Sequence, residues 1–238
     1  MTRKSLILAA VSGLVCVSSV QAASLQVSPV GLDITAPTRN ASVTLSNKSS
    51  EPADVQIRVF KWTQIGGEDH LTPATDVIVS PPAAKVQSNT AYTIRVAQLK
   101  APSKDREESY RLWIDELPHI NVRRRGGSIT FTSRYSIPVF FSDPSASTDL
   151  QWKVKRQGKK LVVEATNKGT RHAKIANLTA ATTGARVSFG TGLNGYVLPG
   201  STVHWTANAG SIQAGSNVKI TATGDDYAVD QAATVSGR

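Results

Sequence analysis

Along most of this chain, apolar and polar side chains alternate with period two, in short runs about a dozen residues apart. Gly, Pro, Asn and Ser clusters separate the runs, and no long 3.6-residue periodicity is sustained. That pattern belongs to half-buried strands joined by turns. It predicts strands near Leu25–Val30, Ala41–Ser46, Asp54–Gln64, Asp76–Ser80, Thr90–Leu99, Ser109–Leu117 and Ser128–Phe141. Seven strands in about 120 residues is the count of an immunoglobulin-like sandwich. The polar stretch Ser142–Asp149 then reads as a linker. Beyond it, strands are expected at Leu150–Arg156, Lys160–Asn167, Ala173–Ala180, Ala185–Phe189, Thr202–Ala207 and Asn217–Thr223. Gln157-Gly158-Lys159 is a hairpin signal between the first two, and Tyr196–Gly200 reads as a turn. The expected architecture is all-β: two immunoglobulin-like sandwiches in tandem, over 24–142 and 150–238, joined by a linker at 143–149.

Residues 1–23 have the character of an export signal. Arg3 and Lys4 are followed by the apolar run Leu6–Val17, and Val20-Gln21-Ala22 supplies small residues at a cleavage spacing. The run is too short to span a bilayer, and nothing later in the sequence is apolar enough to do so. Cys16 is the one cysteine and leaves with the signal, so stability in an oxidising compartment must come from the core. Losing Arg3 and Lys4 leaves 25 basic against 17 acidic residues, a charge of +8 that favours acidic partners. Without a recognition motif in an exported chain, nucleic acid is not the expected partner.

Catalytic chemistry finds little support. His70, His119, His172 and His204 are scattered without metal-ligand spacing, and no G-x-S-x-G elbow occurs. Asp115 and Glu116 are neighbours on a strand, so their side chains face opposite ways. No enzyme and no cofactor is expected. The informative residues are Arg111 and Arg134, each set among apolar neighbours in facing strands, with Arg95 a third basic position. Ile129 and Phe131 share one face of the later strand. On an open edge such residues are a liability unless the edge exists to take another chain. Arg123-Arg124-Arg125 lies between the two strands as a basic loop.

These pieces together resemble the periplasmic pilus chaperones of the PapD-like superfamily. The resemblance rests on the first strand Leu25–Ile34, Pro81-Pro82 before Thr93–Val96, and Asp105–Tyr110. It continues through Asp115–Pro118, Tyr135–Val139, Tyr196–Gly200 and Gly224–Tyr227. It implies a chaperone that binds pilus or fimbrial subunits by donor-strand complementation and delivers them to an outer-membrane usher. Ser128–Phe141 would be the donated strand, with Ile129, Phe131, Ser133 and Tyr135 filling the subunit groove. Free chaperones of this kind can cap their own edge by dimerising. Family members hold the subunit's terminal carboxylate with an arginine in the first strand and a lysine in the last. Here Val27–Leu32 carries no basic residue and the lysine position is Pro138. Arg111, Arg134 and Arg95 are the available substitutes, a pattern similar to the archaic, spore-coat-U-associated branch. Glu116 and Asp226 match acidic positions of an interdomain network. The reading from a different class is a secreted carbohydrate-binding or adhesin sandwich. Trp62, Trp113, Trp152 and Trp205 fall on four separate strands, which does not suit it.

Overall fold

The computed structural model describes residues 25–118, 132–224 and 228–237, and these contain strands and turns but no helix. In the first half the strands are β1 (Leu25–Ser28), β2 (Leu32–Thr35), β3 (Asn40–Asn47), β4 (Ala53–Ile65) and β5 (Glu68–Pro73). There follow β6 (Val77–Ser80), β7 (Ala83–Val86), β8 (Ala91–Gln98), β9 (Glu108–Glu116) and β10 (Arg134–Ser142). One sheet runs β1-β3-β8-β6, and the facing sheet runs β2-β10-β9-β4-β5, with β7 also on β4. The chain changes sheet at Pro29–Gly31: β1 pairs with β3, whereas β2 lies parallel to β10. The alternation dictates the core. Val43 and Leu45 meet Ile57, Ile94, Val96, Leu112, Ile114, Val139 and Phe141, all essentially inaccessible. Each such aliphatic side chain contributes about 1.5–3 kcal/mol on burial.

The second half holds β11 (Leu150–Gln157), β12 (Lys160–Asn167), β13 (Ala173–Ala181), β14 (Arg186–Ser188) and β15 (Leu193–Val197). It ends with β16 (Thr202–Asn208), β17 (Asn217–Thr223) and β18 (Ala228–Gly237). Here too one strand joins the layers: β18 pairs with β17 up to Thr234 and with β11 from Val235. The predicted hairpin closes β11 onto β12 across Gly158, whose φ of 58° is one a side chain would strain. This sandwich has its own core, from Val154, Leu161 and Val163 to Ile175, Leu178, Ile220 and Val235.

Four strands escape the period-two reading of the sequence: β2, β5, β7 and β18. β5 reads Glu-Asp-His-Leu-Thr-Pro and is exposed except at Leu71, so it has no apolar face to announce it. The stretch read as a turn at Tyr196 is the end of a fifth unpredicted strand, β15. The linker is not a loose tether. Ser147 O accepts from the backbone N–H of Thr170 and of Arg171, and Asp149 O accepts from Lys168 N.

Candidate functional site

β9 and β10 form an antiparallel pair in which Arg134 faces Asp115, Ser136 faces Trp113, Pro138 faces Arg111 and Phe140 faces Ser109. Parity divides β10 cleanly. Ile137, Val139 and Phe141 point into the sandwich with Tyr135 packed beside them, and the Tyr135 hydroxyl donates to the Leu25 carbonyl. Burial pushes the Tyr135 phenol up from its ordinary range. The even residues share the opposite face with Arg111 and Trp113 of β9 and with Arg58, Phe60 and Trp62 of β4.

The β10 edge is only half closed. β2 joins it from Val139 onward, so among the described residues Arg134–Pro138 have β9 on one side and no strand on the other. Five residues of open edge span about 17 Å of backbone donors and acceptors, a surface that natural sheets normally cover or blunt.

The face beside this edge alternates aromatic rings with guanidinium groups. Arg58 donates to Asp115 Oδ2 at 2.6 Å and Arg134 Nε to Asp115 Oδ1, while Arg134 covers the Trp113 ring at 4.1 Å. Phe60 completes this end, 4.5 Å from Trp113 between ring centres. Arg111 belongs to a different group. Its guanidinium lies 3.7 Å above Trp62 and 5.6 Å from the Tyr196 ring of the second sandwich, with Asp69 at 4.0 Å. Burial pushes Arg111 below its ordinary range, against the opposing influence of Asp69 and Tyr196. Asp115 lies four positions along β9 from Arg111, so the two arginines stand about 13 Å apart along the sheet. One carboxylate cannot bridge them.

Where the sandwiches meet, Trp62, Phe140 and Leu198 are buried together with Tyr196 and Leu71 at their margin. Gln64 fastens this seam through one side-chain amide: its Nε2 donates to Tyr196 O and its Oε1 accepts from Leu198 N, each at 2.9 Å. Glu107, just before β9, is buried against His172, just before β13. His172 Nδ1 lies 2.9 and 3.0 Å from the two Glu107 oxygens, and its backbone N–H donates to the same carboxylate. The imidazole stacks on Phe140 at 3.6 Å, and Asp33 lies 3.9 Å from its Nε2. Asp33, Glu107 and His172 gather close enough to invite a cation. Yet Nδ1 and Glu107 are already in direct hydrogen-bond contact and Arg171 approaches Asp33, so the group reads as an ion-pair network.

Family models decide the relationship. The N-terminal domain of PapD, a pili and flagellar-assembly chaperone, matches residues 24–147, and the C-terminal domain of the PapD pili-assembly chaperone matches 145–230. The chain belongs to the PapD family of pilus-assembly chaperones. A search of curated proteins gives no match. Among solved structures, one similar chain is from the CsuC–CsuE chaperone–tip adhesion subunit pre-assembly complex of the archaic chaperone–usher Csu pili of Acinetobacter baumannii. It is 28% identical, with a TM-score of 0.69 over 90% of this chain and 99% of that one. The CupB2 chaperone of Pseudomonas aeruginosa is 22% identical, with a TM-score of 0.58 over 87% of this chain and 98% of its own. The SafB chaperone, solved with the SafA pilin of Salmonella enterica, shares the fold at 18% identity, with a TM-score of 0.62 over 89% and 97% of the two chains.

Within this PapD-family frame the expected residues are dispersed. Arg111 and Arg134 share a face but not a site. Arg95 is exposed on β8, in the other sheet of the sandwich, and joins neither. Ser133 and Tyr135 flank the start of β10, whereas Ile129 and Phe131 lie outside the described residues, as do Arg123–Arg125, Asp226 and the leader. Glu116 is not at the domain junction. It closes the far end of β9, about 30 Å along the strand from Glu107, and its carboxylate accepts from Ser133 N. Glu107 takes the junction role instead. Antiparallel pairing of β9 and β10 sets Glu108 beside Phe141, next to the linker, a register that the sequence pattern alone did not reveal.

Proposed function

We propose that this PapD-family chain is a periplasmic, non-enzymatic chaperone that binds pilus subunits by strand addition and delivers them to an outer-membrane usher. The observation that carries this is the Arg134–Pro138 edge of β10, unpaired among the described residues and continuous in sequence with the segment that carries Ile129 and Phe131. A subunit sandwich lacking one strand would pair its backbone along this edge. Ile129, Phe131 and Ser133 would fill its groove on the core-facing parity of β10, whereas Tyr135, expected to join them, packs against the chain's own core with its hydroxyl on the Leu25 carbonyl. The CsuC–CsuE and SafA–SafB structures, each a chaperone with a pilus subunit, support the client class. Residues 1–23 would direct export and be removed, and a free chaperone could close the same edge against a second copy.

The anchor for the subunit's terminal carboxylate is assigned to Arg111. It sits directly across the strand pair from Pro138, so the charge expected on the last strand moves one strand over at the same level. A guanidinium there can bind a carboxylate in a bidentate, charge-assisted way. Arg134, already committed to Asp115, is the second candidate.

Periplasmic co-purification of pilin-like clients tests the reading. Wild type should recover them, Phe131→Asp and Ile129→Asp should not, and Arg111→Ala should lose more client than Arg134→Ala. Equal loss in the two arginine variants would discard the anchor and keep the chaperone. Normal capture by both aspartate variants would overturn the donor strand, and no client at all would favour the adhesin class.

A further inference from the structure

We propose that Pro138, on the strand-addition reading of the β10 edge, is the stop that fixes where a client strand ends. Backbone parity gives it that position. Glu116 N donates to Ser133 O just before β10, and Leu117 N donates to Asp54 O just after the β4 pairing starts. The even residues of β9 therefore turn their amides and carbonyls toward β10, and the odd ones toward β4. In the β9–β10 register, Ile114 and Leu112 bond to Tyr135 and Ile137, whereas Arg134, Ser136 and Pro138 turn their backbone groups to the other side. The Ala36 N–H that reaches Ser142 O shows the same parity at the far end of β10, where β2 takes that side.

Proline has no N–H to give. At Ile137 or Val139 it would break the ladder to β9. At position 138 it breaks nothing within the fold, and the donor it removes is one that an incoming chain would use. The open edge thus offers both backbone groups of Arg134 and of Ser136, but no donor at Pro138. At the next residue β2 takes over, with Leu32 in register with Val139. The client's terminal carboxylate is assigned to the level of Arg111, which faces Pro138. A client strand then runs toward Pro138, parallel to β10. In such a pair each outward N–H of β10 meets a client carbonyl, and the carbonyl arriving at Pro138 meets none. In a strand that ends there, this group is a carboxylate, served by the Arg111 side chain. In a strand that continues, it is an orphaned peptide carbonyl, and β2 blocks the bonds beyond it. Pro138 selects chain ends over internal strands. An edge proline that only discouraged aggregation would act on every incoming chain alike.

The pilin-like subunit that wild type recovers from the periplasm, made with its own C-terminus and with three glycines added after it, tests this. Wild type should hold the native-ended subunit and capture the extended one poorly. Pro138→Ala restores the N–H. It should hold the native-ended subunit as wild type does, and the extended one about fivefold better than wild type does. Pro138→Val restores the same donor with a side chain suited to a strand and should match it. In the free alanine variant the amide of residue 138 should exchange fast, and in the complex with the extended subunit slowly. Equal capture of the extended subunit by wild type and both variants would overturn the stop. A gain shared by the native-ended subunit would overturn it in favour of a guard against aggregation, and a protected amide at 138 in the free variant would overturn the parity. If neither variant held the native-ended subunit, the proline would belong to the site itself and not be its stop. Failure of wild type to hold the native-ended subunit would instead overturn the chaperone reading.

Discussion

Arg134 lies directly across the β9–β10 pair from Asp115, binds its carboxylate, and covers the face of Trp113 in the same pose. Arg58 takes the other oxygen. Burial raises the Asp115 pKa, but the hydrogen bonds and charges of Arg134 and Arg58 outweigh it and leave the carboxyl below its ordinary range. A carboxylate with a depressed folded pKa adds stability above its unfolded pKa, near 4, and loses it as pH falls through the folded value. Both arginines are about half exposed, so solvent screens the pair. Asp115→Asn should therefore destabilise by only about 1 kcal/mol at neutral pH. Urea unfolding of both proteins should show that difference shrinking toward zero below about pH 3. A difference unchanged in acid would mean that the ion pairs do not produce it.

The Arg111 cage calls for a planar cation. A lysine in its place keeps the charge but cannot lay a flat guanidinium 3.7 Å over Trp62 while reaching toward Asp69. Arg111→Lys should lower stability by about 1 kcal/mol, roughly half of the ~2 kcal/mol that a desolvated cation–π contact is worth, since the ammonium keeps part of it. Thermal unfolding should register it as a drop in Tm. A lysine variant as stable as wild type would mean that the site needs only a positive charge.

The fold was legible because its cores obey strict alternation, and β3, β4, β8, β9, β11 and β12 fall within two residues of their predicted ends. Elements without an apolar face, such as β5, were not. The two key arginines were legible as charges among apolar neighbours, yet their separation was not. That depends on register, and Arg111 faces Pro138 while Arg134 faces Asp115. The domain seam was the least visible part. His172 appears in the sequence as one of four scattered histidines, and its meaning comes from Glu107, 65 residues away. Gln64 reads as an ordinary polar residue at the end of a strand until its amide is seen clasping Tyr196 and Leu198.

Asn47 and Asn167 repeat one device in the two domains. Each is fully buried at the end of a strand, and each Nδ2 donates to the carbonyl four residues on, Glu51 or Arg171, and to one across the sandwich, Val86 or Val197. Each Oδ1 accepts the backbone N–H two residues on, from Ser49 or Gly169. Alanine at either position strands buried backbone groups and should destabilise by about 2–3 kcal/mol. Asn→Asp keeps the acceptor but loses both donations and should do no better. Denaturant midpoints of the four variants check this; an aspartate variant matching wild type would show that the two carbonyls need no donor here.

Gly169 sits where the linker crosses the second domain. A Cβ built on it would stand 2.3 Å from Ser147 O and 2.6 Å from Asp149 N. Both are backbone atoms held in place, Ser147 O by Thr170 and Arg171 and the Asp149 segment by Lys168. A flexible side chain could step aside, but this strap cannot do so without giving up hydrogen bonds. Gly169→Ala should thus destabilise by about 1–3 kcal/mol as an overpacked site, and it should free the amides of Thr170 and Arg171 to exchange. Hydrogen exchange resolved at those two residues is the decisive measurement, because the same loop leads into His172. Fast exchange confined to it would mean that the linker has lifted, whereas unchanged protection would mean that the strap tolerates a methyl group and is held elsewhere.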